Sequence, residues 1–335
     1  MKLQIKKHIE NINPLNFKLE EKITSIKKLS RGESNINYLI KTNKSKYIIR
    51  FDITNKSTSK FKQEFTILKK ITKLNISSKP LFIDTTKKYF KENYMVLSYL
   101  EGISLDSLDK KVYVSKLNKM PAILANIHNT NIIFDNKLYS FEKRVNQTNT
   151  NIKKIKKELN QYKAVLELCN IYSKYFKILI KKYRPKLKFC HGDVCLPNIL
   201  FNKGNFYLID WEAAGNYDPA LELSYHFYEL NYTTLQRNNF LRNYLKLTKD
   251  ETLKKRILFA DFYLAFSGYF DILVASLNIA RNKGHKEYLD SADFKEYWNW
   301  GNYYLGLVFK LNLFNRTFER RLKIELKEIY NNLKN

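Results

Sequence analysis

An α+β fold is what this sequence predicts, from three observations. Up to about residue 100, short apolar runs rich in Ile, Tyr and Leu alternate with polar turns, the signature of strands. From Lys111 to about Tyr183, and again after Tyr225, apolar residues recur mainly at helical spacing. Between those helical stretches lies a second small group of apolar runs separated by turn residues, from Leu187 to Ile209.

The elements follow in order. Leu29-Ser30-Arg31-Gly32-Glu33-Ser34-Asn35 is a small polar turn between two expected strands. It is either an ordinary hairpin turn or a loop whose backbone amides cover phosphates. Ile36 to Lys41 and Tyr47 to Phe51 are strands joined by Thr42-Asn43-Lys44-Ser45. Phe61 to Leu74 is an amphipathic helix, with Phe61, Phe65, Leu68 and Ile71 on one face. Glu64 falls inside that stripe, where a charge is costly unless paired, and Arg50 at the end of the preceding strand is the expected partner. Read without its neighbouring motifs, Arg50 is a solvated charge at a strand end; the alternative for Glu64 is a carboxylate at the stripe's edge that reaches water. Tyr94 to Leu100 is a further strand, followed by Glu101-Gly102. The β-rich part therefore ends near Leu100, which divides the chain into 1–100 and a mainly helical 101–335. Pro121 marks a helix start or kink.

The chemistry is concentrated in Cys190-His191-Gly192-Asp193-Val194-Cys195-Leu196-Pro197-Asn198 and in Leu208-Ile209-Asp210-Trp211-Glu212. Leu187 and Phe189 alternate with Lys188 as a short strand into the first segment. Ile199 to Phe201 and Phe206 to Ile209 form a hairpin around Asn202-Lys203-Gly204-Asn205, which brings Asn198 and Asp210 to the same end. Asp193 and Asn198 are five apart, the spacing of a phosphoryl-transfer catalytic loop. That chemistry is mostly positioning and charge neutralisation, with magnesium held by a few hard oxygens and a carboxylate beside the acceptor hydroxyl. Asp193 suits the carboxylate base; Asn198 and Asp210 suit the metal. The alternative is that these residues only terminate strands and cap turns.

With these residues in view, the chain resembles the choline/ethanolamine kinase branch of the aminoglycoside-phosphotransferase-like superfamily, especially the bacterial LicA-type choline kinases. The resemblance rests on Gly32 with Ser34, Asn35 and Tyr38, on Arg50 in place of Lys, on His191-Gly192-Asp193 with Asn198, and on Leu208-Ile209-Asp210-Trp211-Glu212 continuing to Pro219. It runs from about residue 25 to 230. It implies a two-lobed protein-kinase-like fold, with a β-rich N-lobe that binds nucleotide and a mainly helical C-lobe that carries the catalytic loop, metal and acceptor site. It also implies ATP and Mg2+ as cofactors, and transfer of the γ-phosphate to a small alcohol. Gly32, Ser34, Asn35, Arg50, Glu64, Ser98 and Tyr99 then fall on the nucleotide side, Ser98 and Tyr99 at the hinge beside adenine. His191 and Glu212 support the loop and the metal.

Eukaryotic-type choline kinases carry a Trp pair in a C-terminal helix, where this chain has Phe266-Ser267-Gly268-Tyr269-Phe270. Aromatic faces attract quaternary ammonium, so Tyr269, Phe270, Trp298 and Trp300 are the candidate acceptor residues. Each also fits an ordinary helix core. Asp261 and Asp271 keep ethanolamine open, since a primary ammonium donates hydrogen bonds that choline cannot. Thiamine and aminoglycosides are further acceptors to weigh.

Composition bounds the rest. With 335 residues and 44% hydrophobic content, the chain has ample core. Sixty Lys and Arg against 32 Asp and Glu give a net charge of +28, but the basic residues are spread along the chain without a recognised nucleic-acid motif. A nucleotide- or nucleic-acid-binding protein without catalysis is the rival class, and no nucleic-acid partner is expected. Three cysteines, Cys169, Cys190 and Cys195, suit a reducing cytoplasm rather than a disulfide scaffold. The apolar stretch Ile257 to Ala280 contains Asp261 and Asp271 and reads as a buried helix, not a membrane span. No sequence feature sets an oligomeric state.

Overall fold

The computed structural model describes residues 22–31, 35–53, 58–114, 117–134, 141–282 and 292–334. They fall into two compact units interleaved along the chain. The first comprises Met1–Phe134, Lys188–Asn216 and Glu229–Lys249; the second Asp135–Leu187, Tyr217–Tyr228 and Asp250–Asn335.

The first unit is built on an antiparallel sheet of β1 (Ile23–Arg31), β2 (Asn35–Thr42), β3 (Lys46–Asp52), β4 (Pro80–Asp84) and β5 (Tyr94–Ser98), in the order β1-β2-β3-β5-β4. Alternation drives it: Tyr38, Ile40, Ile49, Phe51, Tyr94 and Val96 are buried together with Phe90 on one face. The register places Asn37 opposite Arg50, and Arg50 opposite Met95. Helix α1 (Thr58–Ile71) buries Phe61, Phe65, Leu68 and Ile71, as its 3.6-residue pattern requires, and Glu64 with them. Each such aromatic or aliphatic side chain contributes roughly 1.5–3 kcal/mol by leaving water.

The expected hairpin forms as β8 (Ile199–Asn202) and β9 (Asn205–Leu208), with β6 (Ile103–Ser104) on its outer side and β7 (Lys188–Cys190) leading in. Its central residues Lys203 and Gly204 have φ of 46° and 84°, the positive pair that a two-residue hairpin turn demands. Ile199 pairs with Leu208, so the strand ends at Asn198 and Ile209 meet: the Ile209 N–H donates to the Asn198 carbonyl at 3.0 Å.

The second unit is a helical bundle. Its core joins α4 (Phe141–Glu158), α5 (Lys163–Lys182), α8 (Leu253–Asn282), α9 (Ala292–Lys310) and α10 (Arg316–Lys334) through Ile155, Tyr172, Phe262, Phe266, Leu305 and Leu322. Helix α6 (Pro219–Glu229) falls in this unit up to Tyr228, whereas α2 (Lys110–Val114), α3 (Met120–His128) and α7 (Thr234–Thr248) belong to the first unit. Helix α8 is long and apolar enough to cross a membrane by length and composition, but 67% of its most apolar window is buried within the protein. It is the central helix of the bundle, as Phe262, Phe266 and Phe270 pack around Tyr172 with ring centroids 5.4–5.7 Å away. The bundle also holds a buried ion network. Arg256 donates through Nε to both oxygens of Asp218 (3.1 and 2.8 Å) and through Nη2 to Asp250 (2.9 Å), while Tyr183 donates its hydroxyl to Asp218 at 2.7 Å.

Candidate active site

All the residues described next belong to the first unit. After β7 the chain turns through Gly192, whose φ is +86°. A Cβ there would lie 2.4 Å from the Ala213 carbonyl oxygen, so only glycine fits both the angle and the space. His191, fully buried, bridges the two functional segments: its Nδ1 accepts from the Asp193 N–H (3.2 Å) and its Nε2 faces the Ile209 carbonyl (3.0 Å). Since Nδ1 accepts, the ring proton sits on Nε2 and is donated to Ile209. Behind it, Trp211 is completely buried, 4.4 Å from the His191 ring, and donates Nε1–H to the Leu208 carbonyl (3.0 Å).

Asn198 ends a short 3-10 turn, Leu196–Asn198, opened by Pro197. Its side-chain nitrogen donates to the Asp193 carbonyl (3.0 Å) and to Asp193 Oδ2 (2.8 Å). This fixes the amide's orientation, with Nδ2 on Asp193 and Oδ1 left as an acceptor. Asp210 has φ 65° and ψ 67°, a left-handed conformation that Asp tolerates better than most residues. Its side chain is 34% exposed, and Oδ1 accepts from Arg50 Nη1 at 3.3 Å.

Arg50 and Glu64 form the ion pair that the helical stripe called for, with side chains 8% and 3% exposed. Arg50 also donates Nε–H to Asn37 Oδ1 (3.1 Å). Burial, with Asp210 and Glu212 nearby, pushes the Glu64 carboxyl up to about 7 against the pull of Arg50. Burial also raises the Glu212 carboxyl; Asp210 and Asp193 add to the rise, while Arg50 and Lys60 oppose it. Three carboxylates, Asp193, Asp210 and Glu212, thus share one electrostatic environment, and two cations face it.

A cavity of about 260 Å³ runs up to this cluster. Ile48, Leu97, Tyr99, Leu100, Leu200 and Leu208 make its apolar part; Asn37, Arg50, Glu64 and Asp210 make its charged end. A flat apolar ring at one end and phosphates at the other is the ligand shape such a lining accepts. The Ser98 amide donates to the Lys79 carbonyl (2.9 Å) and the Tyr99 amide to the Lys46 carbonyl (3.3 Å), so both are spent inside the sheet. Ser98 Oγ is likewise occupied, accepting from the Lys79 N–H at 2.8 Å. Tyr99 and Leu100 line the cavity and Ser98 does not.

Of the other nucleotide-side residues, Asn35 is buried at the start of β2, opposite Asp52. Gly32 and Ser34 lie outside the described residues. The acceptor candidates belong to the second unit. Tyr269 and Phe270 are 2% and 0% exposed inside the helix-bundle cluster, so their ring faces are covered by core neighbours. A helical stripe of aromatics gives the same sequence pattern whether it faces a ligand or a core. Trp298 packs against Phe294 and Tyr330, and Trp300 is 47% exposed. Asp271, on the same helix as Tyr269, accepts from the Asn151 amide at 2.5 Å.

Asn37 escapes the sequence reading, and Gly192, quoted there within His191-Gly192-Asp193, is given no role of its own. Asn37 announces itself only through its register opposite Arg50. Gly192 announces itself only through its close approach to Ala213.

The donor set would suit a hard divalent cation, since the Asn198 side-chain oxygen and the carboxylates of Asp210 and Glu212 all offer hard oxygen atoms. Residues 25–256 match the model of the phosphotransferase enzyme family. The choline kinase LicA from Streptococcus pneumoniae superposes with a TM-score of 0.62 at 22% identity, over 91% of this chain and 98% of that one. A choline/ethanolamine kinase family protein from Mesorhizobium loti gives 0.63 at 16% identity, over 90% and 92%. A spectinomycin phosphotransferase in complex with ADP and spectinomycin gives 0.61 at 14% identity, over 93% and 98%. No curated protein matches the chain by sequence. The likenesses carry the protein-kinase-like fold of these enzymes, and the match over residues 25–256 makes the chain a member of the phosphotransferase enzyme family.

Proposed function

We propose that this phosphotransferase moves the γ-phosphate of ATP to the hydroxyl of a small amino alcohol, choline first among them. One observation carries the reading: Asn198 holds the Asp193 carboxylate with its side-chain nitrogen, which leaves its side-chain oxygen as an acceptor, while its backbone carbonyl is bonded by the Ile209 N–H, one residue before Asp210. The adenine ring takes the apolar part of the cavity, against Tyr99 and Leu100, and the phosphates meet Arg50 at the charged end. Asn198 and Asp210 would hold magnesium, whose charge would offset that of the phosphate oxygens. Asp193 orients the acceptor hydroxyl and takes its proton as the oxygen attacks. Arg50, fixed by Glu64, counters charge on the phosphate chain. His191 holds the loop that presents Asp193 at a set distance from Ile209.

Choline is put first because the residues that carry the resemblance belong to the LicA-type branch, and LicA is among the structural relatives. Ethanolamine is the second reading, supported by the fold shared with an ethanolamine kinase of Plasmodium vivax (TM-score 0.56, 18% identity). On the acceptor side, Trp298 and Trp300 are proposed as the cation–π faces, Trp300 being open to solvent. A cytoplasmic location goes with this reading.

The test is ADP release from ATP and magnesium across choline, ethanolamine, thiamine and a set of aminoglycosides. Turnover with choline well above the others supports the assignment. Turnover confined to aminoglycosides, or none with any alcohol, overturns it.

A further inference from the structure

The geometry points to Asn37 as a positioning residue for the nucleotide phosphates: it aligns the Arg50 guanidinium so that one edge is presented to them. This rests on the kinase reading above and adds to it a residue outside the motif segments. A guanidinium is planar and carries five N–H donors in a fixed fork. In Arg50 three of its directions are assigned. Nε donates to Asn37 Oδ1 at 3.1 Å, and Nη1 is shared between Glu64 and Asp210, the latter at 3.3 Å. Nη2 makes no hydrogen bond to any described residue.

Two anchors on different nitrogens fix a plane; one anchor leaves it free to rotate. Glu64 and Asp210 both meet Nη1, so between them they hold a single nitrogen, as they would hold a lysine ammonium. Asn37 supplies the second anchor, and Nη2 becomes the edge left for phosphate oxygens in the cavity that both residues line. The antiparallel register makes this possible, because Asn37 sits directly opposite Arg50 on the neighbouring strand. An ammonium has no Nε–H, so the role exists only with arginine at position 50.

That dependence gives the test, a double-mutant cycle of Asn37→Leu and Arg50→Lys read by calorimetric binding of magnesium ADP and of adenosine. Asn37→Leu is expected to weaken ADP about fivefold to tenfold, the worth of one ordinary net hydrogen bond, and adenosine less than about twofold. In the Arg50→Lys background the same substitution should change ADP affinity by less than about twofold. Equal losses in both backgrounds, an unchanged ADP affinity, or parallel losses for ADP and adenosine each overturn the inference, the last because the whole cavity is then damaged. If Asn37→Leu does not fold, Asn37→Ser serves in its place with the same criteria. Failure of the two readings is distinguishable. A wild-type protein that binds no nucleotide removes both, whereas one that binds and turns over ATP but gives an additive cycle removes only the role of Asn37.

Discussion

Asn198 spends its side-chain nitrogen twice on Asp193, once on the backbone carbonyl at 3.0 Å and once on the carboxylate at 2.8 Å. The proposed base and the proposed metal ligand are thereby one hydrogen-bonded object. Asn198→Ala removes both bonds and the oxygen donor together. We expect a loss of about 1–3 kcal/mol in stability, read from denaturant midpoints, and a fall in kcat of about a hundredfold or more. Asp193→Asn, by contrast, is expected to lower kcat by about 10²–10⁴ while calorimetry shows nearly unchanged ADP binding. Wild-type turnover in Asp193→Asn removes it from the role of base.

Gly192→Ala and Gly204→Ala separate backbone angle from space. Both glycines have φ near +85°, at 86° and 84°. A methyl at Gly192 meets the Ala213 carbonyl at 2.4 Å, whereas at Gly204 the nearest atom is the end of Lys119 at 3.6 Å. Gly204→Ala should cost about 1–2 kcal/mol, the left-handed penalty alone. Gly192→Ala should cost clearly more, about 3 kcal/mol or above, and should depress kcat as the Asp193 loop shifts. Similar midpoints for the two variants would contradict this.

Arg50→Met leaves Glu64 buried without its cation. A loss of about 3–5 kcal/mol is expected. The Glu64 carboxyl, already at about 7, rises further once Arg50 is gone. Protonation then relieves the unpaired charge, so the deficit should be smaller at pH 6 than at pH 9. The double variant Arg50→Met with Glu64→Leu should recover part of the loss. A deficit independent of pH would show that Glu64 finds another partner.

In the helical unit, acid stability should follow Asp250. Burial alone would raise its carboxyl, but hydrogen bonds from Arg256, Lys186 and Thr252 outweigh this and hold it well below the usual carboxylate range. Its folded pKa is depressed, so its contribution is full above the unfolded value, about 3.9, and is lost as pH falls below that. Asp250→Asn should therefore cost about 1–3 kcal/mol at pH 7, with the gap to wild type closing below about pH 4. Unfolding midpoints across that range check it.

Much of the catalytic end was legible because its signals are local. The hairpin announced itself through Asn202-Lys203-Gly204-Asn205 between apolar runs, and its closure brings Asn198 to Ile209. Glu64 within an apolar stripe demanded a cation, and Arg50 is there. Long-range register was not legible: nothing in the sequence says that Asn37 faces Arg50 rather than a neighbour one residue away. The acceptor aromatics illustrate a second gap. Tyr269 and Phe270 share helical spacing with residues that face the bundle interior, and packing covers them. The hinge shows a third, since only the strand pairing reveals that the Ser98 and Tyr99 amides are already engaged.

The span from Phe189 to Ala213 closes its own loops through hydrogen bonds between residues 18 or fewer positions apart. The bond from Arg50 to Asp210 spans 160 positions. As the polypeptide organises, the acidic residues can therefore gather quickly by short-range closure, while the cation that balances them arrives by a much slower search. Wild-type refolding is therefore expected to run faster with a divalent ion in the buffer, which would offset the carboxylate repulsion before Arg50 docks; stopped-flow rates that are unchanged by the ion would contradict this.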